Sequence, residues 1–198
     1  IGNGCCTLPA LSISSGDEYV PQKIAHMLGY KTRKESGSYT YVFYDKDGHL
    51  VKTKDFFKDI PEILTYSREK KIPNSYLYND IDVRMELLRG LMDTDGCISY
   101  CDGRFNVSYS STSKVLLEQI RQLILGLGFI SNIGKPDKRE DKYTDGYYSQ
   151  VTIRVPQKFK QELFTHPKKL KIAQQAALNP ANATAVANGT CTIKLISA

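Results

Sequence analysis

The chain repeats itself. Asn3-Gly4-Cys5 returns as Asp95-Gly96-Cys97, Leu11-Ser12-Ile13-Ser14-Ser15 returns as Val107-Ser108-Tyr109-Ser110-Ser111, and Leu28-Gly29-Tyr30 returns as Leu127-Gly128-Phe129. The offset grows from 92 residues at the first match to 99 at the third, as loop insertions between matched elements would make it. A duplicated supersecondary unit constrains the fold strongly, because both copies must adopt related structures and bury their apolar faces together.

The second copy is the easier to read. Val83, Leu87, Leu88, Leu91 and Met92 fall on one helical stripe, which predicts a helix from Asp80 to Thr94. Asp80 or Asp82 can cap its start, and Gly96 is expected to end it in a left-handed conformation. Gly90 inside this helix costs about 1 kcal/mol relative to alanine, so close approach of another backbone is expected there. Strands follow at Cys97–Cys101 and Phe105–Tyr109, with Asp102-Gly103 as a hairpin turn. Ser113 opens a long amphipathic helix that Gly128 stops. Strands at Phe129–Gly134 and Tyr147–Val155 flank a charged loop, Lys135–Gly146, and a closing helical stretch from about Pro156 to Ala177 breaks near Pro167. In the first copy a helix is expected over Asp17–Leu28, a strand over Tyr39–Tyr44, and Lys52–Arg68 in place of the closing helix. Each half thus reads as αββαββα, the first without its opening helix, and the class is α+β with antiparallel sheets. The expected division is residues 1–79, residues 80–177 and a loosely ordered, Ala/Asn/Thr-rich tail at 178–198.

Composition narrows the function classes. The chain has 198 residues, enough for a core without disulfides or metals. Its net charge of +6 is compatible with a polyanionic partner. The five cysteines are odd in number and irregularly spaced, and no signal peptide precedes them, which implies reduced thiols and a cytoplasmic setting. Cys97 and Cys101 lack a second pair, which argues against zinc. No apolar run reaches the roughly 20 residues that span a bilayer.

Leu88-Arg89-Gly90-Leu91-Met92-Asp93-Thr94-Asp95-Gly96 resembles the motif of the LAGLIDADG homing endonucleases at six of nine positions. Lys71-Ile72-Pro73-Asn74-Ser75-Tyr76-Leu77 is similar to the lead-in of the second motif in intein-borne (DOD-type) members, and Ile1-Gly2-Asn3-Gly4 looks like the end of a first motif copy truncated at its start. The resemblance covers roughly residues 1–172. It implies site-specific, metal-dependent cleavage of double-stranded DNA by a monomer with pseudo-twofold symmetry. In such a molecule two motif helices pack side by side, and the eighth motif position of each delivers a metal ligand. Those positions are Asp95 and Asn3 here, and Mg²⁺ is the ion whose preference for hard oxygen fits them. Asn3 departs from the family's aspartate and offers no charge; a non-cutting nucleic-acid binder, such as a decayed intein insert or an RNA maturase, is the alternative. Asp93, at the sixth position, is expected to support the helix end. The resemblance also implies a lysine beside each metal: Lys70, with Lys71 adjacent, and Lys169, with Lys171 in reserve.

Two four-stranded sheets would then form a saddle over the duplex. Candidate DNA-facing residues are Arg33, Lys34, Tyr39 and Tyr41 in the first half, and Arg104, Tyr109, Lys135, Lys138, Arg139, Gln150 and Arg154 in the second. Arginine, lysine and glutamine can read base edges or neutralise phosphates.

Overall fold

A computed structural model describes residues 4–5, 8–101, 104–135, 137–141, 144–154 and 157–178, with the backbone alone at 4–5, 101, 104, 137–141, 144–150, 154, 157–158 and 177. Asn3, the Asp102-Gly103 turn and the tail from residue 179 lie outside the described residues. The protein is mixed α+β, built on two antiparallel sheets.

The first sheet contains β1 (Gly4–Cys5), β2 (Ser12–Ser14), β3 (Lys31–Lys34) and β4 (Thr40–Tyr44) in the order β1-β2-β4-β3, with helix α1 (Tyr19–Leu28) between β2 and β3. The linking segment carries α2 (Thr53–Phe56), single 3-10 turns at Pro61–Ile63 and Ser67–Glu69, and α3 (Asn74–Leu77). It leads into α4 (Ile81–Thr94). The second sheet follows with β5 (Gly96–Cys101), β6 (Arg104–Ser111), helix α5 (Lys114–Gly126), β7 (Ile130–Ile133), β8 (Asp137–Asp141) and β9 (Thr144–Arg154). Its order is β5-β6-β9-β7, with β8 paired to β9 beside that path. A 3-10 stretch, Gln157–Leu163, and helix α6 (Pro167–Leu178) complete the described chain.

The repeat seen in the sequence is a repeat of topology and of register. Gly4 pairs with Ile13 and Gly96 with Tyr109; Ile13 pairs with Tyr41 and Tyr109 with Val151. Both sheet helices end alike. Gly29 (φ 67°) and Gly128 (φ 83°) take the left-handed conformation that side chains resist. The next amide in each case, Tyr30 or Phe129, donates back to Ala25 or Ile124 at 2.8 and 3.0 Å. Ser113 opens α5 as expected, its hydroxyl accepting from the Leu116 amide at 3.1 Å.

Several expectations are corrected. Lys52–Arg68 forms no continuous helix, because Pro61 lacks an N–H and forces Ile60 out of helical dihedrals (φ −140°, ψ 58°). The Lys135–Gly146 loop is largely a hairpin of β8 with β9, whose charged residues suit a sheet edge. Gly96 is not left-handed. It begins β5, and a Cβ there would lie 2.5 Å from the Met92 carbonyl oxygen and 2.6 Å from its Cα, so lack of space is what demands glycine. At Gly90 an added Cβ meets nothing within 4 Å, so no backbone approaches it among the described residues.

Gly90 instead faces a cleft. Leu11, Ile13, Phe43 and Phe56 from the first half line one side, and Leu87, Gly90 and Leu91 of α4 line the other, enclosing about 300 Å³. The cleft makes the first core shallower than the second. Leu11 is 8% exposed where its counterpart Val107 is 1%, and Ile13 6% where Tyr109 is 1%. The second core is closed by Leu88 and Met92 of α4, both at 0%. No described helix is long and apolar enough to cross a membrane.

Candidate active site

Helix α4 delivers Asp95 to the junction between the second sheet and α6. The Asp95 amide continues the helical ladder to the Leu91 carbonyl at 3.1 Å, and the residue serves as the C-cap (φ −97°, ψ −1°). A carboxylate here meets the negative end of the helix dipole. Burial pushes its pKa up from the ordinary aspartate value, while Lys70, the Tyr109 hydroxyl and Lys169 pull it back. The Tyr109 phenol donates to Asp95 Oδ2 at 3.4 Å, and burial together with the Asp95 charge raises the phenol well above its usual value.

Both lysines singled out in the sequence act on this carboxylate. Lys70 is held through its backbone. Its carbonyl accepts from the Ser113 hydroxyl at 2.6 Å, and neighbouring Ile72 exchanges two hydrogen bonds with the Gln119 amide, at 2.7 and 3.0 Å. Lys169 comes from the first turn of α6. Its ammonium donates to the carbonyls of Met92, Asp93 and Gly96, each at 2.8 Å, and of Thr94 at 3.1 Å. Burial lowers its pKa, and the Asp93 and Asp95 carboxylates oppose that shift.

Asp93 turns away from this group into a buried junction. Its carboxylate accepts from the amides of Thr165 and His166 at 2.8 and 2.9 Å, and from the Thr165 hydroxyl. The same segment reaches the first half. Tyr19 donates to the Thr165 carbonyl at 2.8 Å, Lys23 donates to its hydroxyl oxygen at 2.5 Å, and Asp17 meets His166 at 3.1 Å and Lys168 at 2.9 Å.

The residues expected to face DNA are distributed unevenly. Arg33 and Tyr39 are exposed. Arg33 pairs with Val42, on the sheet face opposite the Tyr41–Phe43 core side. Lys34 is exposed but pairs with Tyr41 on the core side, and its ammonium lies over the rings of Tyr39 and Tyr41 at 5.5 and 5.8 Å. Tyr41 is a correction: at 7% exposure it belongs to the first core, because strand parity groups it with Phe43. Tyr109 is another, buried beneath Asp95. Arg104, Gln150 and Arg154 occupy register positions opposite in parity to Val107, Val151 and Ile153 of the second core. Lys135 is exposed beside β7, and Lys138 and Arg139 stand on β8. For Arg104, Lys138, Arg139, Gln150 and Arg154 the side chains lie outside the described residues, as does Asn3 entirely.

Sequence reasoning missed the tethers Ser113 and Gln119, the Asp17–His166 and Thr165 links, and the role of Tyr109. The last was within reach: Phe105, Val107 and Tyr109 alternate in step, which marks tyrosine 109 as inward-facing.

Helix α4 thus ends at Asp95-Gly96 and leads into the antiparallel β5–β6 pair of a sheet whose strand order recurs in the first half. Residues 82–165 match the LAGLIDADG-like domain. The LAGLIDADG-like stretch includes Asp95, Tyr109, Ser113 and Gln119 and stops at Thr165, so Lys70, Lys169 and the first sheet lie outside it. Among solved structures, the chain is similar to the homing endonuclease I-DmoI in complex with DNA and Ca, at 15% identity and TM-score 0.49 over 84% of this chain and 82% of that one. It is also similar to mesophilic variants of the same enzyme, at 13% and 0.46 over 85% and 78%. A third similarity is to I-DmoI with DNA and Mn, at 14% and 0.47 over 85% and 80%. No curated protein matches the chain in sequence.

Proposed function

We propose that the protein is a site-specific DNA endonuclease that hydrolyses phosphodiester bonds of duplex DNA with a divalent cation, working as a pseudo-twofold monomer. The observation that carries this reading is Asp95, a half-buried carboxylate held at a helix C-terminus, between Lys70 and Lys169, in the LAGLIDADG-like stretch. Burial and the helix dipole both disfavour its charge, and an arrangement that keeps a carboxylate there at such cost is suited to binding a cation.

A hard oxygen donor fits Mg²⁺, which takes one or two carboxylates and fills its remaining positions with phosphate and water. Asp95 would hold the ion, with Asn3 as the proposed second ligand. The ion would lower the pKa of a bound water and neutralise charge on the scissile phosphate. The chain's own groups do the rest. Tyr109 orients the Asp95 carboxylate by donating to Oδ2, and the charge of Lys70, which already favours the ionised Asp95, would also favour a bound phosphate. Arg33, Arg104, Gln150 and Arg154 would meet the duplex, with the net charge of +6 assisting association.

The proposal extends to organisation. We take residues 1–79 and 80–177 as two halves around one axis and 178–198 as an appendage, with the endonuclease carried within an intein on the strength of the Lys71–Leu77 lead-in. The repeat would seat a counterpart of α4 in the cleft before Gly90, closing the first core as α4 closes the second.

The test is cleavage of randomised duplex libraries with Mg²⁺ or Mn²⁺. Selective cutting by the protein, and its loss in Asp95→Ala with folding and DNA binding retained, is the expected result. Unchanged cutting by Asp95→Ala overturns the assignment of the site. Salt-dependent binding with no metal-dependent cutting overturns the nuclease reading and leaves a binder.

A further inference from the structure

Lys169 is arranged unlike a residue meant to touch substrate. Four backbone carbonyls, those of Met92, Asp93, Thr94 and Gly96, converge on its ammonium at 2.8–3.1 Å. An ammonium has three N–H donors, so these acceptors saturate it and leave none for a phosphate or a water. Three of the carbonyls belong to the last turn of α4, where a helix has no partners of its own for them. The fourth lies just beyond Asp95, so the four acceptors bracket that residue on both sides. Asp93 holds the other end of the arrangement. By accepting from the Thr165 and His166 amides it fixes the segment that enters α6, and hence the turn from which Lys169 reaches back.

We infer that Lys169 is a positioning residue: its ammonium is the built-in occupant of a four-carbonyl cation cage at the C-terminus of α4, and it holds the Asp95 backbone in place for metal binding. The ligand class of the cage is a monovalent, ammonium-like cation. The role as a positioning residue rests on the nuclease reading above; the cage itself does not.

A cage built for an ammonium should accept one from solution when its own is removed. In Lys169→Met, the melting temperature should fall below that of the wild type and recover in ammonium chloride or methylammonium chloride, relative to choline chloride of equal ionic strength, with no matching response in the wild type. Lys169→Arg should behave like Lys169→Met, since a planar guanidinium cannot bring its donors to four converging oxygens. Mn²⁺ binding, followed by electron paramagnetic resonance without DNA, separates positioning from simple charge removal. Loss of a nearby positive charge alone would strengthen binding at Asp95. Loss of positioning should weaken it by at least about tenfold, the usual effect of disturbing groups behind a ligand, and ammonium should restore it.

The wild type supplies a measurement that does not depend on a variant folding. A caged ammonium exchanges its protons slowly, so at neutral pH a lysine ¹⁵Nζ signal should be resolved and should vanish in Lys169→Arg. Absence of any such signal overturns the proposal. So does a Lys169→Met protein with unchanged melting temperature and Mn²⁺ affinity that has lost only turnover, which would return Lys169 to direct contact with the reacting phosphate. Binding of DNA without metal-dependent cutting would remove the nuclease reading, and retained cutting by Asp95→Ala would remove the assignment of Asp95 as the metal ligand; either result would leave the ammonium signal and the thermal rescue intact.

Discussion

Burial and the helix dipole leave Asp95 dependent on Lys70, Tyr109 and Lys169 for much of the stabilisation its charge receives. Because its pKa is raised in the folded state, the linkage has a definite sign. The contribution to stability is fully present below the unfolded value near 3.8 and is lost as pH rises through the higher folded value. Asp95→Asn keeps an acceptor for Tyr109 and removes the charge. It is therefore expected to melt at a higher temperature than the wild type at pH 7, with the gain disappearing in acid, while cleavage is abolished. Calorimetry at pH 7 and pH 4 beside a cleavage assay checks both halves of this trade. The same raised pKa means that Mn²⁺ affinity should fall on acidification earlier than for an exposed aspartate. Asp95 was legible in the sequence because the motif places it. Its environment was less so: Lys70 lies 25 residues before it and Lys169 lies 74 residues after it. Only the resemblance, and no local pattern, brought those lysines to the same place.

The elements that formed as expected are those with their own start and stop signals. Helix α5 has Ser113 at its head and Gly128 at its foot, and α1 ends on Gly29. Elements without such signals were misread. Lys52–Arg68 has helical apolar spacing, yet Pro61 interrupts it. The charged run before β9 looked like a loop because edge strands tolerate charge. Helix α4 shows a subtler limit. Its interior glycine suggested a tight contact, but at Gly90 nothing stands within 4 Å. Gly90→Ala should accordingly stabilise this chain by about 1 kcal/mol, the propensity difference alone, read as a shift in urea midpoint with an unchanged slope. A loss of stability would show that a neighbour closes on that surface. The contrast is Gly96, where the Met92 backbone leaves no room for a Cβ at 2.5 Å.

Across the molecule, polar links tie the first sheet to the second half, while among the described residues the two sheets keep separate apolar clusters and only the linking segment, through Ile72 and Leu77, enters the second core. Asp17, Tyr19 and Lys23 of the first half all meet the segment Thr165–Lys168 of the second. Lys168, with its hydrogen bond, and His166 lower the Asp17 pKa to about 2, against the cost of burying it. A depressed carboxylate contributes stability above its unfolded value near 3.8, and loses it as pH falls from there through about 2. Asp17→Asn is expected to cost roughly 1–2 kcal/mol at neutral pH, toward the lower figure because Lys168 is largely exposed. Between pH 4 and 2 the variant should lose less stability than the wild type, which urea titrations at several pH values would reveal. Such long-range links leave no trace in a one-dimensional pattern. The sequence repeat implied that two halves exist, but not which side chains bind them together.

The segment Thr165–Lys169 closes the Asp93 junction, the carbonyl cage and the bridge to the first half, and it is made late. A ribosome adding about 5–20 residues each second needs several seconds to travel from Asp95 to Lys169. From the start of that interval a nascent chain already carries its acidic ligand and about half of its lysines and arginines. Competence would thus be withheld until translation has passed residue 169, so that a product stopped short of that point would carry the ligand without the means to hold it in place.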